Sequence, residues 1–231
     1  NYTPFGHSDW QTIVSDIKAF GSEGKKTAVV STINGDANVP FYKELANQGV
    51  KAEDIPVVAF SVGEEELSGM DTTNLVGHLA AWNYFESVDT PENKAFIDGW
   101  HAYIKNDKRT TNDPMEAAYL GFNLWVEAVT KAGTTDTDAV LKAIVGLSYP
   151  NLTGGTATVL PNHHLPKPVL IGEVQADGQF DVVSKTDPVP GDAWSDVLPE
   201  DKGIEADWTD PLTGCGHFDT ATKTCTTAPA P

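Results

Sequence analysis

Two short apolar runs, Thr27-Ala28-Val29-Val30-Ser31-Thr32-Ile33 and Ile55-Pro56-Val57-Val58-Ala59-Phe60, constrain this chain more than any other feature. Both are rich in Val and Ile and bounded by turn residues, so both read as buried strands of a parallel sheet. A polar segment follows each: Asn34-Gly35-Asp36 after the first, Ser61-Val62-Gly63-Glu64-Glu65-Glu66 after the second. Residues at helical spacing come next, which makes these segments strand-to-helix loops. In an open parallel sheet such loops lie at the carboxyl ends of the strands, where small ligands are held.

The rest of the chain extends this alternation. Ser8 is placed to cap a helix with Ile13, Ile17 and Phe20 as its apolar stripe. Val39, Tyr42 and Leu45 mark a second helix, with Gly49 where a C-terminal cap belongs. The triple-Glu segment opens a short helix that Gly69 stops, and 75–85 is apolar enough for a strand crossing between lobes. Thr90-Pro91 starts a helix whose inner face is Phe96, Trp100, Tyr103 and Ile104. Asp113-Pro114-Met115-Glu116 reads as a capping box, Asp as cap and Glu at N3, for a helix through Tyr119, Leu120, Leu124 and Val129 to Gly133. A shorter helix covers 136–145. Strand character returns at 156–160, 169–174 and 179–183, with Ala176-Asp177-Gly178 as a hairpin turn. From Thr186 onward periodicity is lost and the chain reads as an extended tail.

Composition narrows the functional classes. A net charge of -18 argues against nucleic acid and against anionic membrane surfaces as partners. No apolar run reaches the ~18 residues of a membrane-spanning helix. The chain opens at Asn1-Tyr2-Thr3-Pro4 without an initiating Met, which fits a processed or truncated product. The two cysteines, Cys215 and Cys225, stand close together near the C-terminus, and a local disulfide is the expectation; it implies an oxidising, exported setting. His217 nearby does not complete a zinc site, which needs a further Cys or His pair. The adjacent His163 and His164 point to opposite faces if in a strand, so hydrogen bonding rather than metal is expected of them. Asn151-Leu152-Thr153 matches a glycosylation acceptor, a pattern common by chance.

A set of dispersed motifs then occurs in a fixed order. Asn34-Gly35-Asp36-Ala37-Asn38-Val39-Pro40-Phe41-Tyr42, His78-Leu79-Ala80-Ala81-Trp82-Asn83-Tyr84-Phe85, Asp89-Thr90-Pro91-Glu92-Asn93, Thr111-Asn112-Asp113-Pro114-Met115-Glu116-Ala117-Ala118-Tyr119 and Asn162-His163-His164 carry it. Together they resemble the substrate-binding proteins of urea-type ABC transporters and, more widely, the amide-binding type I periplasmic binding proteins, short-chain amide sensors included. The resemblance runs from about Gly6 to about Pro199 and leaves 200–231 unmatched. It implies an α/β fold: a three-layer lobe with a parallel sheet and flanking helices, in a protein of two lobes with ligand between them. By this resemblance residues 1–85 are the C-terminal-lobe unit, and 86–160 a helical part of the first lobe. Residues 161–195 return as strands to the C-terminal lobe, and 196–231 form a tail. The N-terminal lobe is largely missing, so the chain is a fragment or regains that surface from a partner chain.

The candidate ligand-binding residues are Asn34, Gly35, Asp36, Ser61, Glu64 and Tyr84. The amide of Asn34 both donates and accepts, as an amide ligand does; alternatively Asn34 is a left-handed turn residue. Asp36 can accept from ligand N–H groups or cap the following helix. Gly35 allows a tight turn and close backbone approach. Ser61 can bond a ligand or cap the third helix, and Glu64 suits NH2 donors, whereas Glu65 and Glu66 are expected to face water near the helix N-terminus. The ring of Tyr84 can wall a pocket or simply fill the core.

No nucleophile elbow, metalloprotease motif or phosphate loop is present, so a binding module rather than an enzyme is expected, with no cofactor and no metal. The expected role is capture of urea or a short-chain amide, by hinge closure, for an ABC permease in the membrane, in a periplasmic or otherwise extracytoplasmic setting. An amide-sensing regulator and a branched-chain amino-acid-type binding protein are the alternatives.

Overall fold

The computed structural model describes residues 1–191 and the strands His217–Asp219 and Thr224–Thr226. Residues Asn1–Gly191 form one compact unit. Its centre is a five-stranded sheet of order β1-β2-β3-β6-β7, built from β1 (Val29–Ser31), β2 (Val57–Ala59), β3 (Leu79–Trp82), β6 (Leu170–Val174) and β7 (Phe180–Lys185). The first three strands are parallel, in the register Val30↔Val58 and Val58↔Leu79. The last two run antiparallel, so the sheet is mixed and not parallel throughout. The cause is local. The Ala176–Gly178 turn joins β6 to β7 directly, with Gly178 at φ 82°, and a tight hairpin can only make an antiparallel pair.

Helices α1 (Gln11–Gly21), α2 (Asn38–Asn47) and α3 (Glu64–Leu67) belong to this sheet body. Val14, Phe41, Tyr42, Leu45 and Leu67 pack with Val57, Ala59, Ala80, Leu170 and Phe180 in one apolar core. The Phe85 and Phe180 rings lie 4.4 Å apart. A Cβ on Gly172 would come within 2.9 Å of both rings, so only glycine lets β6 pass beneath them. His78 is fully buried, takes the Val57 N–H on Nδ1 at 3.1 Å, and burial pushes its pKa down to about 4, so it stays neutral.

The helical body comprises α4 (Pro91–Ile104), α5 (Asp113–Ala132), α6 (Thr137–Ile144) and the hairpin of β4 (Ser148–Pro150) with β5 (Thr156–Thr158). Leu120, Leu124, Ala128, Val140, Leu152, Ala157 and Val159 are among its buried apolar residues. The spacing expected Phe20 and Tyr103 on inner faces, but both are exposed. β4, at a position where the sequence marks no element, gains strand geometry from pairing with β5.

The helix caps test the sequence reading closely. Thr90 Oγ1 accepts from Asn93 N–H at 3.1 Å, the cap its position before Pro91 implies. Ser8 does not cap α1, whose N-cap is Trp10. At α5 the cap is Asn112, one residue earlier than Asp113, and Asn112 Oδ1 accepts from Met115 N–H at 3.1 Å. Asp113 is released for a tertiary bond described below. Beyond residue 191, β8 (His217–Asp219) pairs with β9 (Thr224–Thr226), placing Cys225 opposite Phe218; the expected Cys215–Cys225 bond involves Cys215, which lies outside the described residues.

Candidate functional site

The two polar loops leave β1 and β2 at the same end of the sheet, because the strands are parallel neighbours with Ser31 beside Ala59. Asn38, fully buried at the start of α2, ties them together: its Nδ2 lies 3.0 Å from the Ile33 carbonyl, 3.1 Å from that of Gly35 and 3.4 Å from that of Ser61. Asn34, Gly35, Asp36 and Ser61 are thereby brought side by side. Gly35 takes the left-handed conformation, φ 63°, while Asn34 is extended at φ -107°, so the turn is made by Gly35 and not by Asn34. The side chains of Asn34 and Asp36 are exposed and cap neither the 3-10 turn Gly35–Ala37 nor α2. Ser61 is half-buried and does not cap α3 either. That N-terminus starts at Gly63, whose N–H donates to Glu66 Oε2 at 2.9 Å. Asn34 opens onto a cavity of ≈ 360 Å³ that also includes Ser31, Ile33, Phe41 and the segment 1–5.

Glu64 and Tyr84 lie in different surroundings. Glu64 is fully buried, and its Oε1 accepts the Glu86 backbone N–H at 2.7 Å, turning the carboxyl toward the segment that leaves β3. Burial raises its pKa from 4.5 to about 8, against the lowering effect of backbone donors; the neighbouring Glu86 charge raises it further. It borders a second cavity, ≈ 390 Å³, with Glu86, Thr72, His101, Arg109 and Gln179, and the two cavities share no residue. Tyr84 is fully buried, its hydroxyl 2.7 Å from both Asn93 Oδ1 and Thr111 Oγ1. Burial also raises the pKa of this phenol. Glu65 and Glu66, expected to face water, are both engaged. Glu66 folds back on Gly63, and Glu65 takes Arg109 Nη2 at 2.8 Å and Thr110 Oγ1 at 3.1 Å.

Glu86 and Thr111, neither of them a candidate binding residue from the sequence, organise this region. Glu86 Oε2 accepts from both the backbone N–H and the hydroxyl of Thr111, and its Oε1 from Gln179 Nε2 at 3.3 Å. Asn93 Nδ2 donates to the Glu86 and Val88 carbonyls at 2.9 and 2.7 Å. A second charged group sits beside it. Asp113 Oδ2 accepts the Asn83 N–H at 3.0 Å, Asn83 Nδ2 donates to the Pro168 carbonyl at 2.9 Å, and the Lys167 ammonium pairs with buried Glu116. Burial raises the pKa of both Asp113 and Glu116, and Lys167 opposes that rise. Local spacing marks Asp113 and Glu116 only as a capping box, because their tertiary partners Asn83 and Lys167 lie 30 and 51 residues away.

Asn151 and Thr153 are 3% and 1% exposed, so the glycosylation pattern is not presented to solvent. His163 Nε2 lies 3.2 Å from the Leu141 carbonyl and His164 Nδ1 3.2 Å from that of Asn162, the hydrogen-bonding role expected of the pair.

A neck of polar contacts around 83–86 joins the mixed sheet, with its polar loops side by side at the strand ends, to the helical body. The chain belongs to the periplasmic binding protein domain family, whose pattern matches residues 1–200. A solved solute-binding protein of an ABC transporter from Rhodopseudomonas palustris HaA2, in complex with p-hydroxybenzoic acid, is similar with a TM-score of 0.69 at 24% identity, over 81% of this chain and 51% of that one. A Leu/Ile/Val-binding protein homolog from Brucella melitensis is 24% identical over 174 residues, 74% of this chain and 43% of the relative. A protein named limonene hydroxylase from Geobacillus stearothermophilus is 33% identical over 122 residues, 52% of this chain and 22% of that protein. The chain thus spans less than half the length of these curated relatives.

Proposed function

We propose that this chain is part of the substrate-binding component of an ABC importer that captures urea or a short-chain amide between two lobes and presents it to a membrane permease outside the cytoplasm. The observation that carries this reading is the pair of loops Asn34–Asp36 and Ser61–Gly63, held together by Asn38 at the carboxyl ends of adjacent parallel strands. They offer an amide, a carboxylate and a hydroxyl on neighbouring loops. A small neutral solute has few atoms, and affinity per atom has a ceiling near ~1.5 kcal/mol, so nearly every polar atom of the ligand must be satisfied. Asn34, Gly35, Asp36 and Ser61 form the wall on the sheet side. Glu64 and Tyr84 stand behind it and hold the neck in place.

The opposing wall comes from the N-terminal lobe. Tyr103, Phe122, Trp125 and Leu141 leave a broad apolar surface on α4–α6, with Phe122 and Trp125 stacked at 6.0 Å. In this reading the sheet of that lobe covers it. The Brucella relative's name favours branched-chain amino acids as the second reading.

Calorimetry on a longer protein carrying both lobes tests this, with urea, formamide, acetamide, leucine and p-hydroxybenzoate as titrants. Saturable binding of urea or a short amide without ammonia release is expected, and far weaker binding by the 231-residue chain alone. Binding of leucine with none of urea or amide favours the second reading, while ammonia release overturns capture altogether.

A further inference from the structure

We propose that segment 83–86 is a hinge clamped by carboxylates, in which Glu64 and Asp113 are positioning residues for its backbone and the charge state of Glu64 sets how firmly it is held. The word hinge rests on the two-lobe reading above; the clamps are features of the chain itself.

The backbone of this segment departs from the sheet. β3 pairs with β6 as far as Trp82↔Leu170, and beyond it the donors turn to side chains. Asn83 N–H goes to Asp113 at the start of α5, and Glu86 N–H goes to Glu64 at the start of α3. The Glu86 carboxylate in turn holds Thr111, just before α5, and Asn83 Nδ2 holds the segment ahead of β6 at Pro168. Several of the polar ties between the sheet body and the helical body therefore fall on residues 83–86, beside the pairs Glu65–Arg109 and Lys167–Glu116. A ladder of backbone bonds fixes a strand at every residue, whereas single side-chain clamps leave the segment able to turn once one of them yields.

Charge decides when it yields. Glu64 Oε2 is buried without a hydrogen-bond partner among the described residues. While Glu64 is neutral, the charge on Glu86 is solvated by Thr111 and Gln179. Once Glu64 ionises, the closed segment must keep a carboxylate away from water, and that burial cost favours the opened segment; the facing Glu86 charge adds to it, while the bond from the Glu86 N–H opposes it. The other groups around this site are Tyr84 in the segment and His101 on α4. Asp107, Lys108 and Arg109 follow α4, Arg109 being paired with Glu65, and Asp177 lies in the β6–β7 turn. Lys167 is paired with Glu116 and neighbours Asp113, so the Asp113 clamp keeps a balancing cation that the Glu64 clamp lacks.

Hydrogen exchange on the ligand-free chain tests the proposal. Rates for peptides covering 83–87 are measured at pH 6.5 and 9.0, corrected for intrinsic exchange, with 118–128 of α5 as internal reference. Protection at 83–87 is expected to fall about tenfold or more at the higher pH while the reference holds. Glu64→Gln keeps an acceptor that cannot ionise and abolishes the fall. Glu86→Gln, which removes the facing charge, reduces it and serves if Glu64→Gln does not fold. An equal fall in the Gln variants, or none in the unmodified chain, overturns the clamp. No ligand enters the measurement, so its failure leaves capture standing, and failure of the ligand screen leaves the clamp standing.

Discussion

Asn38 is the residue on which the geometry of the loop pair depends, and replacing it has a calculable cost. In Asn38→Ala the amide that reaches Ile33 O, Gly35 O and Ser61 O is lost. Two amide hydrogens serve three acceptors, and each net bond contributes about 0.5–1.5 kcal/mol, with an added penalty for a carbonyl left buried and unpaired. The sum is about 2–3 kcal/mol. For a chain of this length that corresponds to a fall of about 4–12 °C in melting temperature. Urea unfolding followed by tryptophan fluorescence reads the free energy directly. Asn38→Asp sharpens the test, since it keeps the shape but points lone pairs at carbonyl oxygens. Its carboxyl is driven toward the protonated, donating form, so a raised folded-state pKa follows, and the stability lost at pH 7 is partly regained near pH 4. A cost under about 0.5 kcal/mol for Asn38→Ala, or an Asp variant indifferent to pH, refutes the claim that this amide staples the loops.

Gly35→Ala, at φ 63° with open space around the added methyl, is expected to cost about 1 kcal/mol through backbone conformation alone, measured by thermal melting. Glu64, with its pKa raised from 4.5 to about 8 by burial, favours the fold when protonated. That contribution is complete below pH 4.5 and is lost as pH rises to 8, by up to about 1.4 kcal/mol per pH unit, so unfolding curves of Glu64→Gln and the unmodified chain should diverge across this window and run parallel above it. In a two-lobed protein, Asn34→Ala and Ser61→Ala are expected to weaken urea or amide binding by about five- to 150-fold each, as a lost hydrogen bond in a closed cleft costs about 1–3 kcal/mol, with little change in melting temperature. Non-reducing peptide mapping of exported protein is expected to recover Cys215 joined to Cys225; two free thiols there rule the bond out.

Short-range chemistry was legible in the residues themselves. The Val- and Ile-rich runs become β1 and β2, Thr90 before Pro91 caps α4, Gly133 at φ 67° ends α5, and the Ala176–Gly178 turn makes its hairpin. Each of these depends on backbone preferences within a few residues, and those preferences do not wait for the fold. The juxtaposition of Asn34–Asp36 with Ser61 was also legible, since adjacent parallel strands must release their loops at one end.

Where several polar residues compete for partners, the tertiary structure alone decided the outcome. Asp113 looked like the cap of α5, but Asn83 N–H claimed it, and Asn112 took the cap one residue earlier. Glu64 looked like a carboxylate offered to a ligand, and in the fold its Oε1 takes the Glu86 N–H, while Glu65, still partly exposed, found Arg109. A carboxylate is assigned by the donors within about 3 Å of it, and those donors come from segments tens of residues away. Local spacing can announce that an acidic residue stands at a strand end; only the folded chain can say which N–H group it will hold.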